Sequence, residues 1–226
     1  NLPVPNSSPW VTTYRYDQAR RLEEITSPAG EFEYDYVAGR QGLTRSLALS
    51  TGAAITNSFD SVGRLTGTYL RDTAGVALSS HTYLYNQAGQ RTNHTRLNGD
   101  YVTNAYDKIG QLIYAIGREA GGNSRMNERF RYGYDAAGNL RTRTNNLFVQ
   151  NFLVDSLNQL TNVNRSTTVN ASFYAAGTVS TGATSIILGS FLGSRYADGT
   201  WSAYADIPAN GTNTYRAIAE DALGRK

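Results

Sequence analysis

The residues that could do chemistry are few and scattered. The 226-residue chain has two histidines, His81 and His94, and no cysteine. Without cysteine there are no disulfides, no thiolate metal sites and no thiol nucleophile. Neither histidine has a second histidine or a carboxylate at metal-ligand spacing, so no zinc site is expected. A Ser-His-Asp arrangement would have to use one of them, and no nucleophile-elbow sequence is present. Glu23-Glu24 and Glu31 with Glu33 read as solvated strand positions, since a glycosidase pair needs a carboxylate separation that sequence does not set. Gly121-Gly122-Asn123 lacks the Lys-Ser/Thr of a phosphate loop and reads as a connection between strands. The recurring aspartates are too dispersed for a calcium loop and read as turn caps. The expectation is a chain that is not an enzyme, with no catalytic residue, no metal and no cofactor.

Two patterns bear on binding instead. Arg129 and Arg131, with Arg141 and Arg143, alternate on two strands of one expected hairpin and could form a basic stripe for an anionic partner. Trp201 and the tyrosines offer aromatic surface on which a glycan could stack. A net charge of +3 is too small and too dispersed for a dedicated nucleic-acid binder. The longest apolar stretch, residues 185 to 193, is far short of the roughly 20 residues of a membrane-spanning helix.

The positioning elements come from a repeat. The chain has 16 tyrosines and 22 glycines, with only 17% charged residues. This favours strands joined by tight turns, and helical periodicity is missing almost everywhere. One pattern recurs: aromatic, any, aromatic, Asp, any, any, Gly, Arg, Leu. It runs Tyr14-x-Tyr16-Asp17, with Arg20 in the glycine place. A looser copy, out of register, is Tyr34-Asp35 with Gly39. Then come Phe59-Asp60 with Gly63 and Arg64, and Tyr83-x-Tyr85-Asn86 with Gly89. Tyr106-Asp107 with Gly110 and Tyr132-x-Tyr134-Asp135 with Gly138 follow. A worn copy holds Asp155 and Asn158, and an eighth, Asp221 with Gly224, lacks its aromatics.

Each position has a physical job. Tyr-x-Tyr has the period of a strand, so both rings leave one face. Asp opens a type I turn and accepts a nearby backbone N–H. Gly supplies the positive φ of the turn exit, and Leu starts the return strand. Arg20, a non-glycine there, predicts a distorted turn. The turn-exit arginines are expected to lie over a ring, to pair with the Asp of the next unit, or to stand free on the surface. Neighbouring Tyr rings would stack into a ladder, each pair adding about 0.2–1 kcal/mol. Each unit is a β-hairpin, and hairpins in series make an antiparallel meander.

This motif resembles the YD repeat, or Rhs repeat, over about residues 12 to 165. The family includes bacterial Rhs polymorphic toxins, the shell-forming subunits of insecticidal Tc toxins, and teneurins. The resemblance implies a curved β-sheet that forms part of a hollow shell enclosing a toxin, or a rigid extracellular scaffold. Complete shells use many more repeats and carry a self-cleaving core region. No Asp-Pro-x-Gly core motif occurs in this sequence, so self-cleavage is not carried over.

After Arg165 the beat changes. Residues 166 to 226 hold short strands about ten residues apart with Asp-Gly and Asn-Gly turns, which predicts a small β-sandwich. Trp201 alternates with Ala203 and is expected in its core, faced by Ile186, Leu188, Tyr215 and Ala217. The stretch resembles bacterial Ig-like modules. The closing Asp221-Ala222-Leu223-Gly224-Arg225 returns toward repeat sequence, which points to a piece of a longer chain.

The reading is therefore all-β: serial hairpins over 1–165, then an Ig-like sandwich over 166–226. The expected function is a non-catalytic wall segment of a β-shell that encloses or presents cargo such as a toxin. Its partners would be the rest of a longer repeat chain, a toxin cargo, or other copies through open sheet edges. It would be exported or surface-bound. Alternatives are an adhesion or glycan-binding module, a surface-filament subunit and an autoprocessing toxin segment.

Overall fold

A computed structural model describes residues 10–40, 42–146, 148–165, 171–207 and 213–226. Among these residues every regular element is a strand. Fourteen strands hydrogen-bond in strict chain order into one antiparallel sheet. Two three-stranded sheets follow. The chain divides into two compact units, Asn1–Leu84 and Tyr85–Lys226.

The first unit carries β1 (Thr13–Tyr16), β2 (Leu22–Ser27), β3 (Gly30–Tyr36), β4 (Thr44–Ala48), β5 (Ala54–Phe59), β6 (Leu65–Arg71) and most of β7 (Ala77–Tyr85). Its register sorts side chains by face. Tyr14, Ile25 and Phe32 stand opposite one another in sequence across β1–β3. Tyr34, Leu47, Ile55, Leu70 and Ser79 continue that row, with Asn57, Thr68 and His81 beside it. No charged residue enters these rows. The opposite face takes Arg15, Glu24, Glu33, Asp35, Ser46 and Arg71 through the same pairings. Directly opposite residues share a face, so the period-2 alternation in sequence becomes one uncharged and one polar face. Among the described residues of this unit only Gly67 is buried. The sheet is a single layer held by its ladder and its cross-strand pairs.

The second unit carries β8 (Arg91–Arg96), β9 (Tyr101–Tyr106), β10 (Leu112–Arg118), β11 (Ser124–Tyr134), β12 (Leu140–Asn145), β13 (Phe148–Val154) and β14 (Leu160–Arg165). The sandwich follows: β15 (Ala171–Thr178), β16 (Ala183–Leu188), β17 (Phe191–Leu192), β18 (Ser194–Arg195), β19 (Thr200–Ile207) and β20 (Ala217–Asp221). Its sheets have orders β15-β19-β18 and β17-β16-β20. Every buried hydrophobic residue described lies here, and Ile186, Leu188, Trp201, Ala203 and Ala205 form one cluster. Phe173, Ala175, Val179 and Tyr215 pack against it. Trp201, Ile186, Leu188 and Tyr215 thus stand where the alternation put them. Ala217 does not: it is exposed, paired opposite Leu188 at the start of the outer strand β20.

Candidate functional site

The repeat turn is built the same way in copy after copy. In Asp60-Ser61-Val62-Gly63-Arg64, the Asp60 N–H donates to Arg64 O (3.0 Å) and the Gly63 N–H to Asp60 O (3.1 Å). The Asp60 carboxylate accepts the N–H groups of Val62 (3.0 Å) and Arg64 (2.9 Å). Asp107, Asp135 and Asp155 repeat all four bonds. Asn86 keeps both backbone bonds and accepts Gln90 N–H. Gly39, Gly63, Gly89, Gly110 and Gly138 all have φ between +71° and +93°. This is a type I turn closed by a left-handed residue, which leaves one extra residue as a bulge. The bulge fixes the register beyond it, so Tyr16 faces Leu22, Phe59 faces Leu65, Tyr106 faces Leu112 and Tyr134 faces Leu140.

Arg20 corrects the expectation of a distorted turn. Its φ is +61°, beside +61° at Asn158, and its N–H still donates to Asp17 O at 2.9 Å. The left-handed region is open to any L-residue at a cost of about 1–2 kcal/mol, and the surrounding hydrogen bonds impose it. Arg20→Gly is therefore expected to raise stability, by up to about 1 kcal/mol after glycine's unfolded-state entropy is counted. A denaturant midpoint that fell would contradict this assignment.

The looser copy is corrected too. Val37 takes the first turn position, and its N–H bonds to Leu43 O. Asp35 lies two residues earlier, on the polar face, paired with Arg45. The aromatic ahead of that turn is thus Tyr36, with Tyr34 two residues before it.

The tyrosine before each turn does more than stack. The Tyr36 hydroxyl donates to Leu22 O (2.6 Å), that of Tyr106 to Arg91 O (2.8 Å) and that of Tyr134 to Leu112 O (3.0 Å). In each case the acceptor opens the return strand of the preceding copy, so these three copies are tied to the one before; Phe59 and Val154, which precede the Asp60 and Asp155 turns, have no hydroxyl to do so. The turn-exit arginines pair with the Asp of their own turn, Arg21 with Asp17, Arg64 with Asp60 and Arg225 with Asp221, not with the next unit's Asp. Arg21 also lies over the Tyr36 ring at 4.3 Å. Arg40 reaches forward, donating to the carbonyls of Asp60 and Ser61.

These bonds lower the pKa values of Asp17, Asp60, Asp135 and Asp221. The Arg64 side chain does so for Asp60 and the Asn139 side chain for Asp135; at Asp17 and Asp221 the main cause is the N–H of the residue four positions on. A folded value below the unfolded ~3.9 means that the turn contribution is complete above about pH 4. It is lost as pH falls through the folded values. The melting temperature is therefore expected to stay level from neutral pH down to about 5 and to drop below about 4. A decline already complete at pH 5 would contradict this.

A second cluster joins the sandwich to the sheet within the second unit. Arg125, on β11, is 2% exposed. Its guanidinium donates to Asp100 (2.8 Å), Glu128 (2.9 Å), Asp198 (2.9 Å) and Thr200 (2.8 Å). It lies 4.5 Å from the centre of the Tyr196 ring. The Met126 N–H donates to the Tyr196 hydroxyl, and Ala197 N–H to Glu119. Burial works to lower the Arg125 pKa, but Asp198 and Glu128 outweigh it and the group is held more firmly charged. Burial likewise works against the Asp198 carboxylate, and Thr200 and Arg125 outweigh it, so its pKa is lowered. Sequence reasoning missed this junction.

The proposed binding surfaces do not assemble. Trp201 is 9% exposed, with its ring against Gly177, so it is core and offers no surface to a ligand. Arg131 pairs opposite Thr144 and Arg143 opposite Tyr132, which puts Arg129 and Arg131 on one face and Arg141 and Arg143 on the other. The four form no single stripe. Arg131 lies over Tyr114 and Arg143 over Phe130. Glu23 and Glu24 are ion-paired with Arg15. Gly121-Gly122-Asn123 does close a turn between β10 and β11. Among the described residues no three of His, Asp or Glu gather as metal ligands, and no helix is long and apolar enough to cross a membrane.

Solved structures share this architecture. TcdB2-TccC3 without its hypervariable C-terminal region matches over 65% of this chain, with TM-score 0.51 and 19% identity. The Photorhabdus luminescens Tc holotoxin pore matches over 84%, with TM-score 0.52 and 17% identity. The chain shares the fold of these Tc toxin structures. No family model matches the sequence, and neither does any curated protein. The chain spans 7% and 10% of the length of those two structures.

Proposed function

We propose that this YD-repeat chain is a non-catalytic scaffold, a wall segment of a shell that encloses or presents a toxin-like cargo. The observation that carries this reading is the single-layer sheet itself, extended copy by copy through one recurring turn, with tyrosine bonds tying three of the copies to the one before. Such a sheet grows by addition of like units, as quasi-one-dimensional repeat proteins do. In the first unit its two faces differ in charge, which suits a wall with unlike surroundings on its two sides. The fold shared with Tc toxin structures supports the same reading. The sandwich then serves as an Ig-like module fastened to the wall by Arg125. An exported location and association with further repeat chain go with this role.

Limited proteolysis of the natural polypeptide carrying this sequence tests it. A cargo region is expected to resist cleavage until the wall is opened by denaturant; cleavage at the same rate in both states would overturn the proposal. The adhesion alternative requires sugar binding by the intact chain on a glycan array, and the autoprocessing alternative requires cleavage products by mass spectrometry.

A further inference from the structure

The third residue of the repeat turn is presented to solvent in all four copies that lie in the long sheet of the second unit. Ile109 is 79% and Leu157 73% exposed, and Ala88 and Ala137 are also exposed. None is needed by its turn, whose bonds run through backbone and the Asp or Asn side chain. Alternate turns of a meander lie at one end of a sheet, two strands apart. These four side chains therefore form a ridge with a step of about 10 Å, twice the ~4.8 Å strand spacing. In order they are small, large, small, large.

We propose that this ridge is a docking seam for a second copy of the chain, related by a two-fold axis. Reversing the order Ala88, Ile109, Ala137, Leu157 sets every large residue against a small one: Leu157 against Ala88 and Ile109 against Ala137. An isologous contact demands such self-complementarity. The charges also allow it. The neighbouring turn residues are Gln87, Lys108, Ala136 and Ser156. The same operation places Lys108 against Ala136, so the two copies' lysines do not meet. Exposed apolar residues scattered singly call for no explanation; here they recur at one position of each of these four turns along one end of the sheet. The seam is narrow, far below the area of a standard interface, so the contact is weak and needs high concentration or repetition along a longer wall. The inference goes beyond the wall reading, because it holds for the free chain.

Sedimentation equilibrium of the 226-residue chain up to about 1 mM tests it. The parent chain is expected to move from monomer toward dimer with rising concentration. Ile109→Ser with Leu157→Ser is expected to stay monomeric with the parent's unfolding midpoint. Ala88→Leu with Ala137→Leu, more apolar but with its gaps filled, is expected to lose dimerisation at least tenfold. A parent that stays monomeric overturns the proposal. So does a dimer that survives Ile109→Ser with Leu157→Ser, which would assign association to the open sheet edges. A leucine variant that dimerises as well as the parent also overturns it, since sticking without shape would then suffice.

Discussion

Arg125→Met is expected to destabilise the second unit by about 3–5 kcal/mol. Removing the guanidinium leaves the Asp100 carboxylate, 1% exposed, buried without its cation. It also strips Asp198 of its cation and leaves Glu128 with Arg96 at 3.5 Å. Removing one member of a buried ion pair costs far more than the pair is worth when intact, because the remaining charge cannot regain water. The loss should couple to the sandwich side of the junction. Asp198→Asn added to Arg125→Met is expected to cost less than the same change in the parent, by at least ~0.5 kcal/mol. Urea unfolding of the four proteins measures both effects. Additive changes would show that Arg125 and Asp198 do not act together.

Trp201→Ala is expected to cost about 3–5 kcal/mol, as for a large aromatic removed from a packed core. The indole lies among Ile186, Leu188, Ala203 and Ala205. It sits so close to Gly177 that a Cβ there would fall 2.9 Å from its Nε1. The chain has two tryptophans, and Trp10 is exposed. Fluorescence of a Trp10→Phe protein thus reports Trp201 alone. Its emission is expected to be that of a buried indole and to shift to the red in one step on unfolding. A solvent-like emission in the native state would contradict the core assignment.

These two residues differ in how well the sequence disclosed them. Trp201 was legible as core because it alternates with Ala203 between turn signals. Its partner Gly177 was not, since their pairing depends on the register of β15 against β19. Arg125 was opaque. Its carboxylates at Asp100 and Asp198 lie 25 and 73 residues away. Nothing local distinguishes it from the other arginines. The repeat turn was legible where Asp-x-x-Gly is intact, because that spacing states its own hydrogen bonds and its own positive φ; it was misread at Arg20 and at Val37, where the spacing is broken. The same turn at Asp72, at the opposite end of the hairpins, was readable by the same spacing but lacks the aromatics that drew attention to the others. The tyrosine bonds were half legible. Period 2 put the rings on one face, but which carbonyl each hydroxyl meets follows from the bulge. The same bulge defeats the four-arginine stripe, because the face of Arg141 and Arg143 depends on how β12 pairs with β11.

The central claim, that this chain is wall, is tested most directly by cryo-electron microscopy of the natural polypeptide that carries it. The reconstruction is expected to show Thr13 to Arg165 as one stretch of a continuous single-layer wall around enclosed density, with Arg125 fastening the sandwich to it. A segment standing apart from any enclosing wall, with water on both faces, would contradict the account.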